Sequence, residues 1–234
     1  MTQRLTGKLA LVTGASRGIG AATAKKLAAE GAHVILVART AGGLEAVEEA
    51  IHEAGGNATI APLDLVDGDS IQRLAAAVSE RWGALDILVL NAAMLGSLTP
   101  VVQIEAKELS AVMTLNFTAQ QALIAAFDPM LKKSENGRVI AVTSSVGAQP
   151  RAYWGAYGAS KAALDTLVTA YGEEVKNLTK IRVAIVDPGA TATDMRALAF
   201  PGEDPATLKS PAVVADVIAD LVTSEFETGH RVKV

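Results

Sequence analysis

Tyr157 and Lys161 lie four positions apart in the segment YGASK, with three small residues between them. Residues at this spacing share one face of a helix, so a phenol and an ammonium group would lie side by side. A nearby positive charge favours the phenolate and lowers the pKa of a tyrosine from its usual value of about 10. The pair therefore indicates proton transfer, but the spacing alone fits an ordinary surface helix equally well.

The segment TGASRGIG at 13–20 is a second candidate, because it places three glycines directly after an apolar run. Gly14 permits a tight turn, Gly18 lets the backbone approach a phosphate, and Gly20 lets a helix lie close to a sheet. The first turn of such a helix offers free N–H groups to an anion. The spacing predicts a dinucleotide-binding loop, and a strand-to-helix turn without a ligand is the alternative.

Two arginines near this loop bear on the kind of dinucleotide. An acid after the second strand accepts from a ribose 2′-hydroxyl, whereas an arginine accommodates a 2′-phosphate. The second apolar run ends in Ala38 and Arg39 with no acid, and Arg17 lies inside the glycine loop. Each arginine alone could be a solvated surface residue. Together they predict a preference for NADP(H), with NAD(H) possible.

Asp64 and Leu65 close the third apolar run. A carboxylate in this place could accept a hydrogen bond from the adenine amine, so both residues are counted as candidate cofactor contacts. A helix cap or a loop aspartate explains Asp64 equally well on the sequence alone.

Short apolar runs alternate with helical patterns along the chain. The predicted strands are 8–14, 33–38, 58–65, 85–93, 137–145, 181–189 and a short one at 230–234. The predicted helices are 18–32, 42–56, 69–83 with Asp69 as its cap, about 105–132, about 154–178 and about 211–223. This alternation predicts parallel strands joined by right-handed crossovers, and the continuous apolar strands predict helices on both faces. The fold class is therefore α/β, a Rossmann-like doubly wound parallel sheet of about seven strands, with ligands outside the carboxyl ends of the strands.

Length and composition favour one domain over residues 1–234, with a short irregular substrate loop at about 190–210. The net charge is −4 and no basic stripe is visible, which argues against a nucleic-acid partner. The chain has no cysteine and only three scattered histidines, so no metal site is expected. No apolar run suits a signal peptide or a membrane span, and a cytoplasmic protein is expected.

Six motifs in this order carry a family resemblance: TGASRGIG, LNAA, LNFTA, TSS, YGASK and DPGATAT. The set resembles the short-chain dehydrogenase/reductase family in its single-domain Tyr-x-x-x-Lys branch, from about residue 6 to 195. The resemblance implies hydride transfer between a nicotinamide cofactor and a carbonyl or alcohol. The expected preference for NADP(H) argues for reduction as the cellular direction.

The resemblance also implies roles for four catalytic residues. Tyr157 would be the acid/base, and Lys161 would favour its phenolate and hold the nicotinamide ribose. Ser144 would orient the substrate oxygen, with its neighbour Ser145 as the other candidate. Asn116, in the long helix, would support a water-mediated proton path to the lysine.

The glycine-loop physics and the resemblance together give the expected cofactor-binding residues. They are Gly14, Ser16, Arg17, Gly18, Ile19, Gly20, Arg39, Asp64, Leu65, Asn91, Ala92, Ala93, Tyr157, Lys161, Pro188, Gly189, Thr191 and Thr193. The segment NAAM departs from the family's usual Asn-Asn-Ala-Gly, with Ala92 for the second asparagine and Met94 for the glycine. The backbone path of this loop is therefore left open.

The substrate is expected to contact an apolar set around Tyr157 and after the sixth strand. Its members are Met94, Leu95, Tyr153, Trp154, Met195 and Phe200. Ordinary core packing explains each aromatic equally well, but the set favours an uncharged, partly apolar ketone or alcohol. The resemblance also implies a homodimer or homotetramer formed through the two long helices.

A cofactor-binding sensor or scaffold without turnover is the alternative function. The presence of Asn116, Ser144, Tyr157 and Lys161 together argues against it, because a binding-only protein need not keep them. A different Rossmann-like enzyme, such as a methyltransferase, is disfavoured by the tyrosine and lysine that follow the fifth strand.

Overall fold

Seven apolar segments form the strands of one parallel sheet in the computed structural model, which describes residues 3–234. Residues 1 and 2 of the predicted 1–234 domain lie outside the described residues. The strands are β1 (Leu9–Thr13), β2 (His33–Ala38), β3 (Asn57–Pro62), β4 (Ile87–Leu90), β5 (Arg138–Val142), β6 (Arg182–Asp187) and β7 (His230–Lys233). Their number and their parallel pairing confirm the predicted fold class.

The helices cover both faces of this sheet. They are α1 (Gly18–Ala29), α2 (Ala41–Glu53), α3 (Gly68–Arg81), α4 (Ala106–Met113), α5 (Ala119–Leu131), α6 (Ser145–Ala148), α7 (Gly155–Val175), α8 (Asp194–Ala199) and α9 (Pro211–Thr223). Alternate residues of β1 point to opposite faces, as the pleat of a strand requires. Leu9 and Leu11 pack with α3, α5 and α7, whereas Ala10 and Val12 pack with α1, α2 and α9.

The strand order is β3-β2-β1-β4-β5-β6-β7, and this order determines where the sheet has a crevice for a ligand. After β3 the chain crosses to the other side of β1, so the winding direction reverses between β1 and β4. The loops that leave these two strands diverge there and open a crevice at their carboxyl ends. The glycine loop follows β1, and the segment NAAM follows β4, so both predicted cofactor elements border this crevice.

Three local predictions need correction. The long helix expected at 105–132 is interrupted by a π-helical turn at Thr114–Thr118, which widens the coil around Asn116. Asp69 does not cap α3, because the side chain of Asp67 accepts from the Asp69 N–H and holds the cap position. The stretch 190–210 is not wholly irregular, since it contains α8 and a short 3₁₀ turn at Pro205–Thr207.

No helix within residues 3–234 is long and apolar enough to cross a membrane.

Candidate active site

The glycine loop has the backbone geometry that the sequence predicts. Gly14 and Gly18 adopt φ values of +65° and +57°, a region that side chains with a Cβ rarely enter. A Cβ on Gly20 would overlap the carbonyl oxygen of Gly14 and lie 2.6 Å from Nδ2 of Asn91. The start of α1 therefore lies against β1 and the following turn, where its free N–H groups face the crevice edge.

Thr13, at the end of β1, joins the glycine loop to the segment after β4. Its buried hydroxyl donates to the Val89 carbonyl and accepts from the N–H groups of Asn91 and Ala92, at 3.0 and 3.1 Å. The Asn91 amide in turn donates to the Thr13 carbonyl at 2.9 Å. Sequence reasoning missed Thr13, whose signal was a polar residue ending an otherwise apolar strand.

Asn116 fixes the other end of the same loop. Its Oδ1 accepts from the Met94 N–H at 2.8 Å, and its Nδ2 donates to the Met94 carbonyl at 2.9 Å. The same Nδ2 lies 2.9 Å from the Ser160 hydroxyl, which donates to the Tyr157 carbonyl. The fully buried Asn116 thus links the loop after β4 to the helix that carries Tyr157.

Gln120, one turn after Asn116, is a second residue that sequence reasoning missed. Its buried Nε2 donates to the carbonyls of Ala92 and Leu115, at 3.0 and 2.9 Å. Its Oε1 is buried without a hydrogen-bond partner. With Thr13 and Asn116, Gln120 defines the backbone path of residues 91–94, which the sequence left open. The available signal was a glutamine on an apolar helix.

Tyr157 and Lys161 both lie inside the protein, on one face of α7. Tyr157 is 8% exposed and Lys161 is 2% exposed. The lysine Nζ lies 5.7 Å from the centre of the tyrosine ring and donates to the Val142 carbonyl at the end of β5, at 2.9 Å. The predicted pair is therefore brought together at the carboxyl end of the sheet.

Burial dominates the electrostatics of this pair. It raises the pKa of the Tyr157 phenol well above its usual value, and the Asp187 carboxylate adds to the rise. Burial also lowers the pKa of the Lys161 amine to about 8. Burial thus opposes the effect of the neighbouring ammonium that the spacing suggested, because desolvation disfavours both charged forms.

Ser144 follows β5 and precedes α6. Its backbone is extended in the cap position of α6, yet its hydroxyl makes no capping hydrogen bond to that helix. A Cβ on Gly147 would lie 2.9 Å from the Ala162 nitrogen, so α6 packs closely on α7. Val146, from α6, contacts the Tyr157 side chain. Ser144 thus begins a segment that packs against α7, while Ser145 is already the first residue of α6.

The chain that leaves β6 folds back over the glycine loop. Gly189 has a φ of +59°, and the Thr191 hydroxyl donates to the Pro188 carbonyl at 2.9 Å. Thr193 caps α8 by accepting from the Arg196 N–H, and a Cβ on Gly18 would lie 3.4 Å from its methyl group. The predicted residues after β6 therefore border the same crevice as the glycine loop.

The remaining predicted cofactor contacts divide into two groups. Ser16 lies against the start of α2, since a Cβ on Gly43 would come within 2.9 Å of its Cβ. Arg39 is exposed beside this contact, after β2. Asp64 instead accepts from the Val66 N–H within its own turn. Leu65 is buried in the core, so only its backbone is available to a ligand.

Ile19 and Ala93 are partly buried beside their respective loops. Arg17 is also at the predicted place, but its guanidinium is paired with Asp194 at 3.1 Å. This ion pair was not expected from the sequence.

An apolar cluster surrounds the Tyr157 side chain. Its members are Leu95, Leu98, Val146, Trp154, Tyr157, Met195 and Ala199. The Trp154 ring meets Tyr157 edge-on at 5.9 Å and lies 5.8 Å from Phe200. Four of the six predicted substrate contacts, Leu95, Trp154, Met195 and Phe200, are thus joined in one wall. Tyr153 is 58% exposed with a φ of +73°, and the Met94 backbone is bound by Asn116.

The family model described as short chain dehydrogenase matches residues 8–204. The chain belongs to this family. The predicted recognition is therefore confirmed. The oxidoreductase YciK of Escherichia coli K12, itself uncharacterized, is a relative with 38% identity over 211 residues, which are 89% of this chain and 83% of YciK.

Solved structures of the family share the fold of this short-chain dehydrogenase. A Shigella flexneri short-chain dehydrogenase complexed with NADP has a TM-score of 0.95 and 36% identity, covering 100% of this chain and 99% of the other. One from Escherichia coli CFT073, complexed with NADPH, has a TM-score of 0.94 and 36% identity, again covering 100% and 99%.

The residues of this short-chain dehydrogenase fit a dinucleotide. Gly14 and Gly18 give the glycine loop a backbone conformation with positive φ, and the loop ends at the N-terminus of the twelve-residue helix α1. An exposed arginine lies at the end of β2, and two threonines follow β6. This combination of close backbone approach, N–H groups and cations suits a phosphate-bearing ligand.

Proposed function

We propose that this short-chain dehydrogenase is an NADP(H)-dependent oxidoreductase that interconverts a carbonyl and an alcohol. The observation that carries the proposal is the burial of Tyr157 beside Lys161, at the sheet edge that also bears the glycine loop. A lysine buried beside a phenol is costly for stability, because its ammonium group loses its hydration. A role in proton transfer accounts for their presence.

Tyr157 gives a proton to the substrate oxygen in reduction and takes it in oxidation. The Ser144 hydroxyl, which is not used in capping α6, donates a hydrogen bond to the same oxygen and orients it. Lys161 binds ribose hydroxyls through its ammonium group and offers positive charge to the phenolate. Asn116 fixes the loop after β4 relative to α7 through its hydrogen bonds to Met94 and Ser160. Bound NADP(H) supplies or accepts the hydride.

Reduction is the proposed direction, because the expected cofactor is NADP(H) and a protonated Tyr157 suits it. The raised pKa of Tyr157 keeps its phenol protonated near neutral pH, so it is ready to donate to a developing alkoxide. Oxidation needs the phenolate, whose formation the nicotinamide's positive charge and Lys161 would assist. A phenol that is neutral at rest is therefore matched to the NADPH-dependent direction.

The preference for NADP(H) rests on Arg17 and Arg39, which follow β1 and β2 where a 2′-phosphate would lie. Family members solved with NADP and NADPH, from Shigella flexneri and Escherichia coli CFT073, support the same cofactor here. Changing both arginines to alanine should weaken NADPH binding more than NADH binding. Equal losses for the two cofactors would reject the phosphate assignment.

The substrate is an uncharged, partly apolar ketone or alcohol. The wall beside Tyr157 is formed by leucine, valine, methionine and aromatic side chains. Arg196, the cation nearest to that wall along the chain, is engaged by both carboxylate oxygens of Glu203 and lies 3.7 Å over the Phe200 ring. Its charge is thus already neutralised, which leaves little to attract an anionic substrate.

The proposal includes a single domain, a cytoplasmic location and a homodimer or homotetramer formed through the two long helical segments, the one that contains α4 and α5 and the one that contains α7. A groove of ≈ 1080 Å³ lies between α5 and α7, with Ile124, Leu167 and Tyr171 among its lining residues. Leu178, at its edge, is 83% exposed. Light scattering of the purified protein should give a multiple of the 24.1 kDa chain mass, and Leu178→Glu should reduce it.

Tyr157→Phe tests the proposed reaction, because it removes the hydroxyl and keeps the ring that packs on Trp154. A panel of ketones with NADPH, followed by nicotinamide absorbance, should identify a substrate for the unchanged protein. The variant should then lose about 10²- to 10⁴-fold in turnover and keep its calorimetric affinity for NADPH. Retained turnover would remove Tyr157 from this role, and NADPH binding without turnover on any substrate would favour a sensor or scaffold.

A further inference from the structure

Arg17 in the glycine loop already has an anionic partner in the protein. Its guanidinium lies 3.1 Å from Oδ2 of Asp194, and the two side chains are 77% and 69% exposed. Asp194 is the first residue of α8, which belongs to the substrate loop after β6. An arginine expected to hold the cofactor is thus tied to the segment expected to contact the substrate.

The two chain neighbours of Asp194 contact the two parts of the site, one the glycine loop and the other the apolar cluster around Tyr157. On one side, Thr193 lies against Gly18 in the glycine loop and caps α8. On the other side, Met195 belongs to the apolar cluster around Tyr157. A shift of Asp194 would therefore also move Met195, and with it part of the apolar wall beside the substrate.

Arg39 offers a contrast. Within residues 3–234, Arg39 has no carboxylate within ion-pairing distance, and it is exposed after β2 beside the start of α2. Arg39 is therefore available for a phosphate without breaking another contact, whereas Arg17 must first leave Asp194. A phosphate group carries more charge than a carboxylate and suits the planar fork of an arginine, so it competes well for Arg17.

We propose that Asp194 is a specificity-determining residue that competes with the 2′-phosphate of NADP(H) for Arg17. Binding of NADP(H) withdraws Arg17 and releases the start of α8, whereas NAD(H), which has no 2′-phosphate, leaves the ion pair in place. The kind of cofactor bound thereby sets the freedom of the substrate loop. This inference rests on the proposed function, because it assumes that Arg17 contacts the 2′-phosphate.

Calorimetric titration of NADPH and NADH into four forms of the protein tests the competition. The forms are the unchanged protein, Asp194→Asn, Arg17→Ala and the double variant. Asp194→Asn should tighten NADPH binding by about 2- to 5-fold, the range of an exposed ion pair, and leave NADH binding unchanged. The gain should vanish in the Arg17→Ala background. Glu203→Gln is the matched control, since its partner is Arg196 in the same loop, and it should not alter either affinity.

Hydrogen exchange of the α8 amides tests the release. The two cofactors differ only in the 2′-phosphate, so any difference between the two complexes reports on that group. Exchange should be faster with NADPH than with NADH in the unchanged protein, and the difference should disappear in Asp194→Asn.

Three results would overturn the inference: unchanged or weaker NADPH binding in Asp194→Asn, a gain that persists without Arg17, or equal exchange with both cofactors. A gain without Arg17 would mean simple repulsion of the phosphate by Asp194. The proposed function fails in a different way, when Arg17→Ala weakens NADPH and NADH equally. If Arg17→Ala is selective for NADPH and Asp194→Asn is silent, only the inference is lost.

Discussion

The two sides of the crevice are held together by different kinds of contact. On the cofactor side, the loop 91–94 is bound by buried side chains of Thr13, Asn116 and Gln120, all of them less than 1% exposed. On the substrate side, α8 is held by an exposed ion pair to Arg17 and by partly buried apolar contacts of Met195 and Ala199, and Trp154 contacts Phe200 just after the helix. We refer to these two regions as the cofactor floor and the substrate wall.

The two kinds of contact differ in the free energy lost when they are broken and in how easily the region they hold changes its conformation. A buried hydrogen bond is costly to break, because the group left behind loses both water and partner, whereas an exposed ion pair contributes little. Regions held by few buried contacts open more easily than the core. The cofactor floor should therefore tolerate almost no substitution, and the substrate wall should accept changes that alter which molecule is bound.

Gly20→Ala in the cofactor floor should cause the largest loss of stability and of NADPH affinity. The added Cβ would overlap the Gly14 carbonyl oxygen and crowd the Asn91 amide, and backbone cannot move aside cheaply. Overpacking of this kind costs roughly 2–3 kcal/mol, and NADPH affinity should fall with it. Urea unfolding and calorimetry measure the two effects. Gly42→Ala, whose Cβ meets nothing within 4 Å, is the control: it should leave NADPH affinity unchanged and should not lower stability, because alanine favours the helix α2 in which it lies.

The sequence predicted the floor's backbone better than its supports. The glycine spacing indicated both the turn at Gly14 and the close approach at Gly20, because only glycine satisfies such positions. The alternation of apolar runs and helical patterns was enough to predict the parallel sheet. Tyr157 and Lys161 were found because four residues make about one turn of a helix.

Thr13, Gln120 and the pairing of Arg17 with Asp194 could not be predicted in the same way. A threonine or glutamine on an apolar element has the same appearance whether it supports a loop or satisfies a nearby backbone group. The π-helical turn around Asn116 adds a residue to one coil without disturbing the apolar pattern on either side. Arg17 and Asp194 are far apart in sequence, and only the return of the chain after β6 brings them together.

Lys161→Met removes the buried amine of Lys161 and tests how much its charge costs the stability of the folded protein. The pKa of about 8 in the folded protein lies below the value of about 10.4 for an unfolded lysine. Below pH 8 both states are protonated, and the folded state bears the whole cost of the buried charge. Between these two values only the unfolded state binds the proton, so stability should rise with pH.

The expected rise for the unchanged protein is roughly 2 kcal/mol between pH 8 and pH 10. Lys161→Met should be more stable at pH 7, show a flatter profile over this window and lose turnover. Above pH 10 the raised pKa of Tyr157 acts in the opposite direction, because only the unfolded tyrosine then loses its proton. Lys176→Met, at an exposed position, should keep the original profile. A profile that Lys161→Met does not change would show that the buried amine is not the source of the rise.

Gln120→Met tests a support of the floor that carries no charge. It removes the donor to the Ala92 and Leu115 carbonyls and, at the same time, the unpaired Oε1. These effects partly offset each other, so a loss of about 1–2 kcal/mol in unfolding free energy is expected. NADPH affinity should fall as well, because Ala92 lies in the loop 91–94. Gln121→Met, at the exposed neighbouring position, should change neither quantity. An unaltered NADPH affinity in Gln120→Met would mean that the loop keeps its path without this residue.

Trp154→Leu tests the substrate wall and should have the smallest effect on stability. It removes the edge-on contact with Tyr157 and the contact with Phe200, worth about 1 kcal/mol together. Trp82→Leu is the matched control, because Trp82 packs on His33 away from the crevice. NADPH binding is followed by calorimetry, since the chain has only these two tryptophans and each variant alters the protein fluorescence. Both variants should unfold at lower temperature and bind NADPH normally, but only Trp154→Leu should raise KM for the ketone. If Trp154→Leu weakened NADPH binding as much as Gln120→Met, the cofactor floor and the substrate wall would have to be regarded as one mechanical unit.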